Sequence, residues 1–340
     1  MKATFEVPFV LWVLLVFPAT SVGQDTCEPD GQVQFLCGPV SPEDLVEIPD
    51  SPWVIVSGME DDGYLYSVDT RDLNSTVVYP KATSVPRHDR GMFGACPGPS
   101  TTQFRPHGLS LRSGSDRIHK LYVVRHGARE SVEVFQVDAT EVPPRLTWVG
   151  CVIAPEGVGL NSVAALPGDG FAVTNFSRPS GEVWEWQPSA GWAEVPGSET
   201  SGPNGLVASP DGQWLYIGGW GTQSLIRLSR GETPVRKNVV EVGFHVDNVR
   251  WAPDGTLLAA GHADESGAQD AIGECLQGGR CDGITSRVAK IDVDSLNADE
   301  IIRYPSNDLF ILGTVAIQVD DEIWLGGIGG RDRIARFSVP

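Results

Sequence analysis

One pattern recurs six times along the chain: a short apolar stretch, a tight turn, then a second apolar stretch. The copies begin at Asp44, Gly108, Ser162, Gly205, Asn248 and Val315. Two of them turn on Pro-Asp-Gly, at Pro210-Asp211-Gly212 and Pro253-Asp254-Gly255. That is hairpin chemistry: Pro presets φ, Asp bonds its own backbone, and Gly accepts positive φ. A third strand pattern follows, as in Tyr64–Val68, Ser131–Val137, Glu182–Trp186 and Ser224–Leu228. Most copies add a fourth, such as Arg145–Val149. Copies lie roughly forty to seventy residues apart, the blade period of a β-propeller with loop insertions in the first and fifth repeats. No segment of convincing length has a helical period. The expectation is therefore an all-β, six-bladed β-propeller, one domain over residues 24–340, with a metal site in its central channel. The last copy lacks a fourth strand after Ile334–Val339, and Gln32–Leu36 can supply it. The two termini would then close one blade and leave no free sheet edge.

Residues 1–23 are expected to be a secretory signal peptide. Lys2 precedes the apolar run Phe9–Phe17, and Ser21-Val22-Gly23 offers small residues for cleavage. A retained N-terminal anchor is the alternative, and no later segment is apolar enough to span a bilayer. An exported chain meets an oxidising compartment, where six cysteines can pair. Cys275 and Cys281 flank Gly278-Gly279 and should close a short loop. Cys27, Cys37, Cys96 and Cys151 leave three pairings open, with Cys96–Cys151 favoured. No Cys-x-x-Cys pair suggests zinc. Asn74-Ser75-Thr76 and Asn175-Phe176-Ser177 are glycosylation sequons. The net charge of −19 argues against nucleic acid and anionic membrane as partners. No Gly-x-Ser-x-Gly elbow marks a serine hydrolase.

Aligned on their turns, the six copies share a polar position six residues earlier: Glu43, His107, Asn161, Asn204, Asp247 and Thr314. The first strand of each propeller blade lines the channel, so one register in every blade makes a ring at one height. Glu43, Asn161, Asn204, Asp247 and the adjacent Asn248 are oxygen donors, the ligand set of a hard cation. Calcium takes six to eight oxygens in flexible geometry, whereas magnesium holds its water more tightly. A hydrated polar plug is the bland alternative. His107 belongs to the ring, and His126 ends the second strand of the same hairpin, so the two should meet. Imidazoles beside a metal suit proton transfer. His262, at the matching place in blade five, should shape the pocket.

These residues carry a resemblance. Phe104–Ser110, Leu121–His126, Ser131–Phe135, Leu160-Asn161, Asn204–Gly212 and Val246–Asn248 resemble motifs of the paraoxonase family of calcium-dependent lactonases and arylesterases. Glu43-Asp44-Leu45 and Gly313–Ala316 extend the likeness over roughly residues 40 to 335. The wider relatives are gluconolactonase-like and strictosidine-synthase-like propellers. The resemblance implies a calcium held by Glu43, Asn161, Asn204, Asp247 and Asn248, and a catalytic dyad of His107 and His126. It also implies a second calcium held by Asp44 and the carbonyl of Leu109, although the family's remaining acidic ligand is Ser162 here. The implied function is secreted, calcium-dependent hydrolysis of a small lactone or ester. A sugar lactonase, a condensing enzyme and a non-catalytic, calcium-stabilised binding propeller are the alternatives. The dyad separates the last of these, since a purely structural ion needs no base beside it.

Overall fold

The computed structural model describes Met1, residues 27–268 and residues 270–339. The expected leader over residues 1–23 lies, apart from Met1, outside them. The first strand, β1 (Gln34–Cys37), belongs to the last blade. Blade one is β2 (Pro42–Ile48), β3 (Trp53–Gly58), β4 (Leu65–Asp69) and β5 (Ser75–Tyr79). Blade two is β6 (Phe104–Arg112), β7 (Ile118–Gly127), β8 (Ser131–Asp138) and β9 (Arg145–Ile153). Blade three is β10 (Leu160–Ala165), β11 (Phe171–Asn175), β12 (Val183–Gln187) and β13 (Gly191–Glu194). Blade four is β14 (Pro203–Ala208), β15 (Trp214–Gly219), β16 (Ser224–Ser229) and β17 (Lys237–Glu241). Blade five is β18 (His245–Trp251), β19 (Leu257–Asp264), β20 (Ile284–Ile291) and β21 (Ala298–Pro305). Blade six is β22 (Gly313–Val319), β23 (Glu322–Gly327) and β24 (Arg333–Ser338), completed by β1.

The fold is thus an all-β, six-bladed propeller. The innermost strands touch in a closed circuit, β2, β6, β10, β14, β18, β22 and back to β2. β1 pairs antiparallel with β24, Leu36 facing Ile334, so the termini close blade six as the missing strand required. Apolar side chains fill the wedges between blades. Leu45, Val54, Val56, Val315 and Trp324 pack together between blades one and six, all fully buried or nearly so. Phe135, Val163, Phe171 and Trp186 do the same around blades two and three. Burial at about 25 cal/mol per Å² of apolar surface makes these wedges the main force holding blade to blade.

Three disulfides join Cys27–Cys37, Cys96–Cys151 and Cys275–Cys281. The last staples an insertion that forms a short α-helix, α1 (Ala271–Leu276). Six residues are too few for a helical period to show in sequence. The helix packs by Ala271, Ile272 and Cys275 onto Ile311, Leu312 and Ile328 beside the channel mouth. Among the described residues, no helix is long and apolar enough to cross a membrane.

Every innermost strand breaks its pairing register at the same place. The shifts fall between Pro42 and Asp44, Pro106 and Leu109, and Leu160 and Val163. They fall again between Pro203 and Leu206, Val246 and Val249, and Gly313 and Val315. Each break is a β-bulge, and each contains the polar position of its blade. A bulge adds a residue that the ladder does not pair and turns its side chain. It also explains why consecutive Asp247 and Asn248 are both buried at the channel, where regular alternation would send them to opposite faces. Glycine follows the polar residue in two blades for a steric reason. A Cβ on Gly108 would lie 2.6 Å from the Asn161 carbonyl oxygen, and one on Gly205 2.4 Å from that of Asp247. Only glycine lets the next inner strand come so near.

Candidate functional site

The bulges bring Glu43, Asn161, Asn204, Asp247, Asn248 and Thr314 together, all buried. Asn248 donates from Nδ2 to Glu43 Oε1 at 2.6 Å, and Thr314 Oγ1 donates to the Glu43 carbonyl at 2.7 Å. Four oxygens have no partner at all: Glu43 Oε2, Asn161 Oδ1, Asn204 Oδ1 and Asn248 Oδ1. A buried oxygen left unpaired costs on the order of 1–3 kcal/mol, so four on the innermost strands at one register need an explanation. Charge sharpens the point. Glu43 and Asp247 are both buried there, and burial together with the Glu43 charge pushes the Asp247 carboxyl well above the usual carboxylate range. A hard divalent cation would satisfy both the orphan oxygens and the excess negative charge. The cluster is mostly amide oxygen. Among the described residues no three His, Cys, Asp or Glu side chains are grouped as a metal site.

The two histidines meet at the rim of this ring. His107 Nδ1 and His126 Nε2 are 2.8 Å apart, and His107 Nε2 lies 3.5 Å from Glu43 Oε1. Sequence reasoning missed the group that orders them. Glu130 accepts from His126 Nδ1 at 2.9 Å on Oε2, and its Oε1 accepts the Leu160 amide of the next blade at 2.7 Å. A carboxylate only accepts, so the His126 proton sits on Nδ1. His126 Nε2 must then accept from His107 Nδ1, which leaves the His107 Nε2 lone pair facing the ring. Burial opposes charge on His107, but Glu43, Asp247 and Asp44 together hold its pKa above the ordinary value. Burial lowers that of His126, against the pull of Glu130. The arrangement can move a proton at the ring's edge, with Glu130 as positioning residue.

Asp44 and the Leu109 carbonyl also come together, just below the ring, but here every atom is engaged. Asp44 Oδ1 accepts the Leu45 amide at 2.8 Å and Oδ2 the Leu109 amide at 2.6 Å. The guanidinium of Arg250 donates to Asp44 Oδ2, and at 3.0 Å to the Leu109 carbonyl. Ser162 is turned away, its Oγ accepting the Leu206 amide at 3.1 Å.

His262 lies on the ring face, its Nδ1 4.0 Å from Asp247 Oδ2. Trp220 Nε1 donates to His262 Nε2 at 3.2 Å, which puts the His262 proton on Nδ1. His245 stacks on Trp220 with centroids 4.2 Å apart, and its Nδ1 donates to the Trp220 carbonyl at 2.7 Å. Burial pushes His262 down to about 4, so it stays neutral at ordinary pH. Of the two sequons, Asn74 is exposed, while the Asn175 amide is bonded at both ends, to Gly159 and Glu182.

The chain matches no protein-family model and no curated protein. Solved structures share the fold. A calcium-binding protein, regucalcin, from Agrobacterium tumefaciens aligns over 89% of this chain and 90% of its own, at 13% identity and TM-score 0.53. A luciferin-regenerating enzyme aligns over 89% and 94%, at 10% identity and TM-score 0.55. A protein provisionally assigned as a gluconolactonase aligns over 92% and 93%, at 14% identity and TM-score 0.53. At these identities the likeness is one of fold alone.

Proposed function

We propose that this chain is a secreted, calcium-dependent hydrolase of lactones or esters, paraoxonase-like in its site. The single observation that carries the reading is the set of four orphan buried oxygens beside a histidine dyad. Glu43, Asn161, Asn204, Asp247 and Asn248 would hold the ion. When bound, calcium supplies Lewis-acid polarisation of a carbonyl and charge stabilisation of the developing oxyanion. The chain's own residues do the proton work. Water attacks the carbonyl carbon as its proton passes to His107 Nε2. The C–O bond to the alkoxide then breaks, and the imidazolium returns that proton to the leaving oxygen. His126 accepts the His107 Nδ1 proton as a hydrogen bond throughout, and Glu130 keeps His126 in the tautomer that can do so. Three disulfides support an extracellular life, and on this reading residues 1–23 are a cleaved leader before a single domain over residues 24–340.

The deciding assay uses purified mature protein on aliphatic lactones, sugar lactones and phenyl acetate, with and without a chelator. Activity is expected only with calcium, and the preferred ring identifies a simple or a sugar lactonase. Hydrolysis that survives complete calcium removal would sink the mechanism. Tightly bound calcium with no hydrolysis of any ester would favour a binding propeller.

Glu130→Gln keeps the size of the side chain but can donate where the carboxylate only accepts. The glutamine is expected to lower kcat by roughly 10²-fold or more, with KM little changed, because a mis-set tautomer costs proton transfer and not binding. It should also shift the acid limb of the pH–rate profile to lower pH, since Glu130 raises the affinity of His126 for its proton. An unchanged profile would reduce Glu130 to a tie between blades two and three.

A further inference from the structure

Two oxygen clusters share the channel, and they differ in one respect. The upper one has four unpartnered oxygens. The lower one, at Asp44 and Leu109, has none among its oxygens, because Arg250 reaches into it. Arg250 comes from β18 in blade five and is buried. Its Nε donates to the Leu45 carbonyl at 3.1 Å and its Nη1 to the Val249 carbonyl at 2.8 Å. Its Nη2 donates to Asp44 Oδ2 and, at 3.0 Å, to the Leu109 carbonyl. Four oxygens on β2, β6 and β18 thus converge on one delocalised cation, which ties blades one, two and five across the axis. Below it a cavity of about 490 Å³ opens at the far mouth, lined by Ile48, Leu109 and Trp251 among others. Arg250 itself lines that cavity.

A cation in this place could be a metal ion, but the oxygens here do not fit one. A second positive ion would meet the guanidinium inside a low-dielectric channel, where like charges repel strongly. No acceptor atom of the cluster is free for it, and Ser162 spends its hydroxyl on the neighbouring blade. We infer that Arg250 is a covalently built-in cation standing in the place of a second metal ion. The channel then binds one calcium, the ion of the proposed function on which that count rests. Its lower half is held together whether or not calcium is present. Loss of calcium silences the upper site and leaves the propeller folded, which makes calcium a reversible switch and not a folding cofactor.

The test counts bound calcium per chain by equilibrium dialysis and follows thermal unfolding by circular dichroism, with calcium and with excess chelator. The full mature chain is compared with Arg250→Ser and with Arg250→Ser/Ser162→Asp. The wild type is expected to bind one ion and to remain folded in chelator at room temperature. Both variants are expected to bind one ion more than the wild type, and their Tm should depend on calcium more steeply than the wild type's. A variant that folds only when calcium is present counts as that gain. A wild-type count of two, or a folded variant that gains none, overturns the inference. Should neither variant fold under any condition, the wild-type count alone decides it. The two readings fail separately. A wild type with no calcium defeats the proposed function, whereas a missing increment between wild type and variant defeats the role of Arg250.

Discussion

Asp247→Ala is expected to abolish hydrolysis of every lactone and ester, by at least about 10³-fold in kcat, with loss of the bound calcium. Asp247 and Glu43 are the carboxylates of the ring, and both are buried. Removing one takes away a ligand and half of the ring's carboxylate charge. The remaining orphan amide oxygens bind a divalent ion weakly on their own. Asn204→Ala should behave alike, because its Oδ1 is one of the unpartnered oxygens. Calcium dialysis and the ester panel read the two effects together. A variant that stays active while holding calcium would remove Asp247 from the ligand set. The same residue gives the affinity its pH dependence. A ligand must be deprotonated to coordinate, and burial has raised the Asp247 pKa. Calcium affinity should therefore rise with pH and weaken as acid protonates Asp247.

His107→Gln should lower kcat by 10²–10⁴-fold while calcium remains bound. The glutamine fills a similar space but offers no lone pair of imidazole basicity. His107 Nε2 lies 3.5 Å from Glu43 Oε1 and is not among the proposed oxygen donors, so its loss leaves those donors in place. Calcium loss in this variant would show that His107 is a ligand and that the proton chemistry lies elsewhere. Together with Asp247→Ala, this variant separates a residue that holds the ion from one that uses it.

What could be read in the sequence was what repeats or acts locally. Pro210-Asp211-Gly212 and Pro253-Asp254-Gly255 announce hairpins because turn chemistry involves only neighbouring residues. The ring register followed, since six copies of one hairpin can be aligned. The pairing of His107 with His126 followed from one hairpin and antiparallel geometry. The bulges were not visible, although they are what brings the ring together. One extra residue in a short strand reads only as imperfect alternation. Glu130 lies in a connection without period, and its worth depends on the Leu160 amide in the next blade. Arg250 was harder still, because its acceptors at Asp44 and Leu109 are 206 and 141 residues away. A charged residue between Val249 and Trp251 of an inner strand was the one available clue. Trp220 gave no signal, since it stands alone in the turn after β15 and its partners His245 and His262 lie in the next blade.

The repeated bulge has a consequence for how such a chain can change over generations. In each blade the polar residue of the ring sits in the bulge, outside the regular pairing that holds the hairpin. Exchanging it subtracts no rung. Chemistry and architecture are therefore mutationally separate here. Six sockets face a common axis, and any of them can be refitted by a single codon while the wall that carries it stays standing. A lineage built this way can wander between metals, substrates and even inert occupants of the channel without first having to refold.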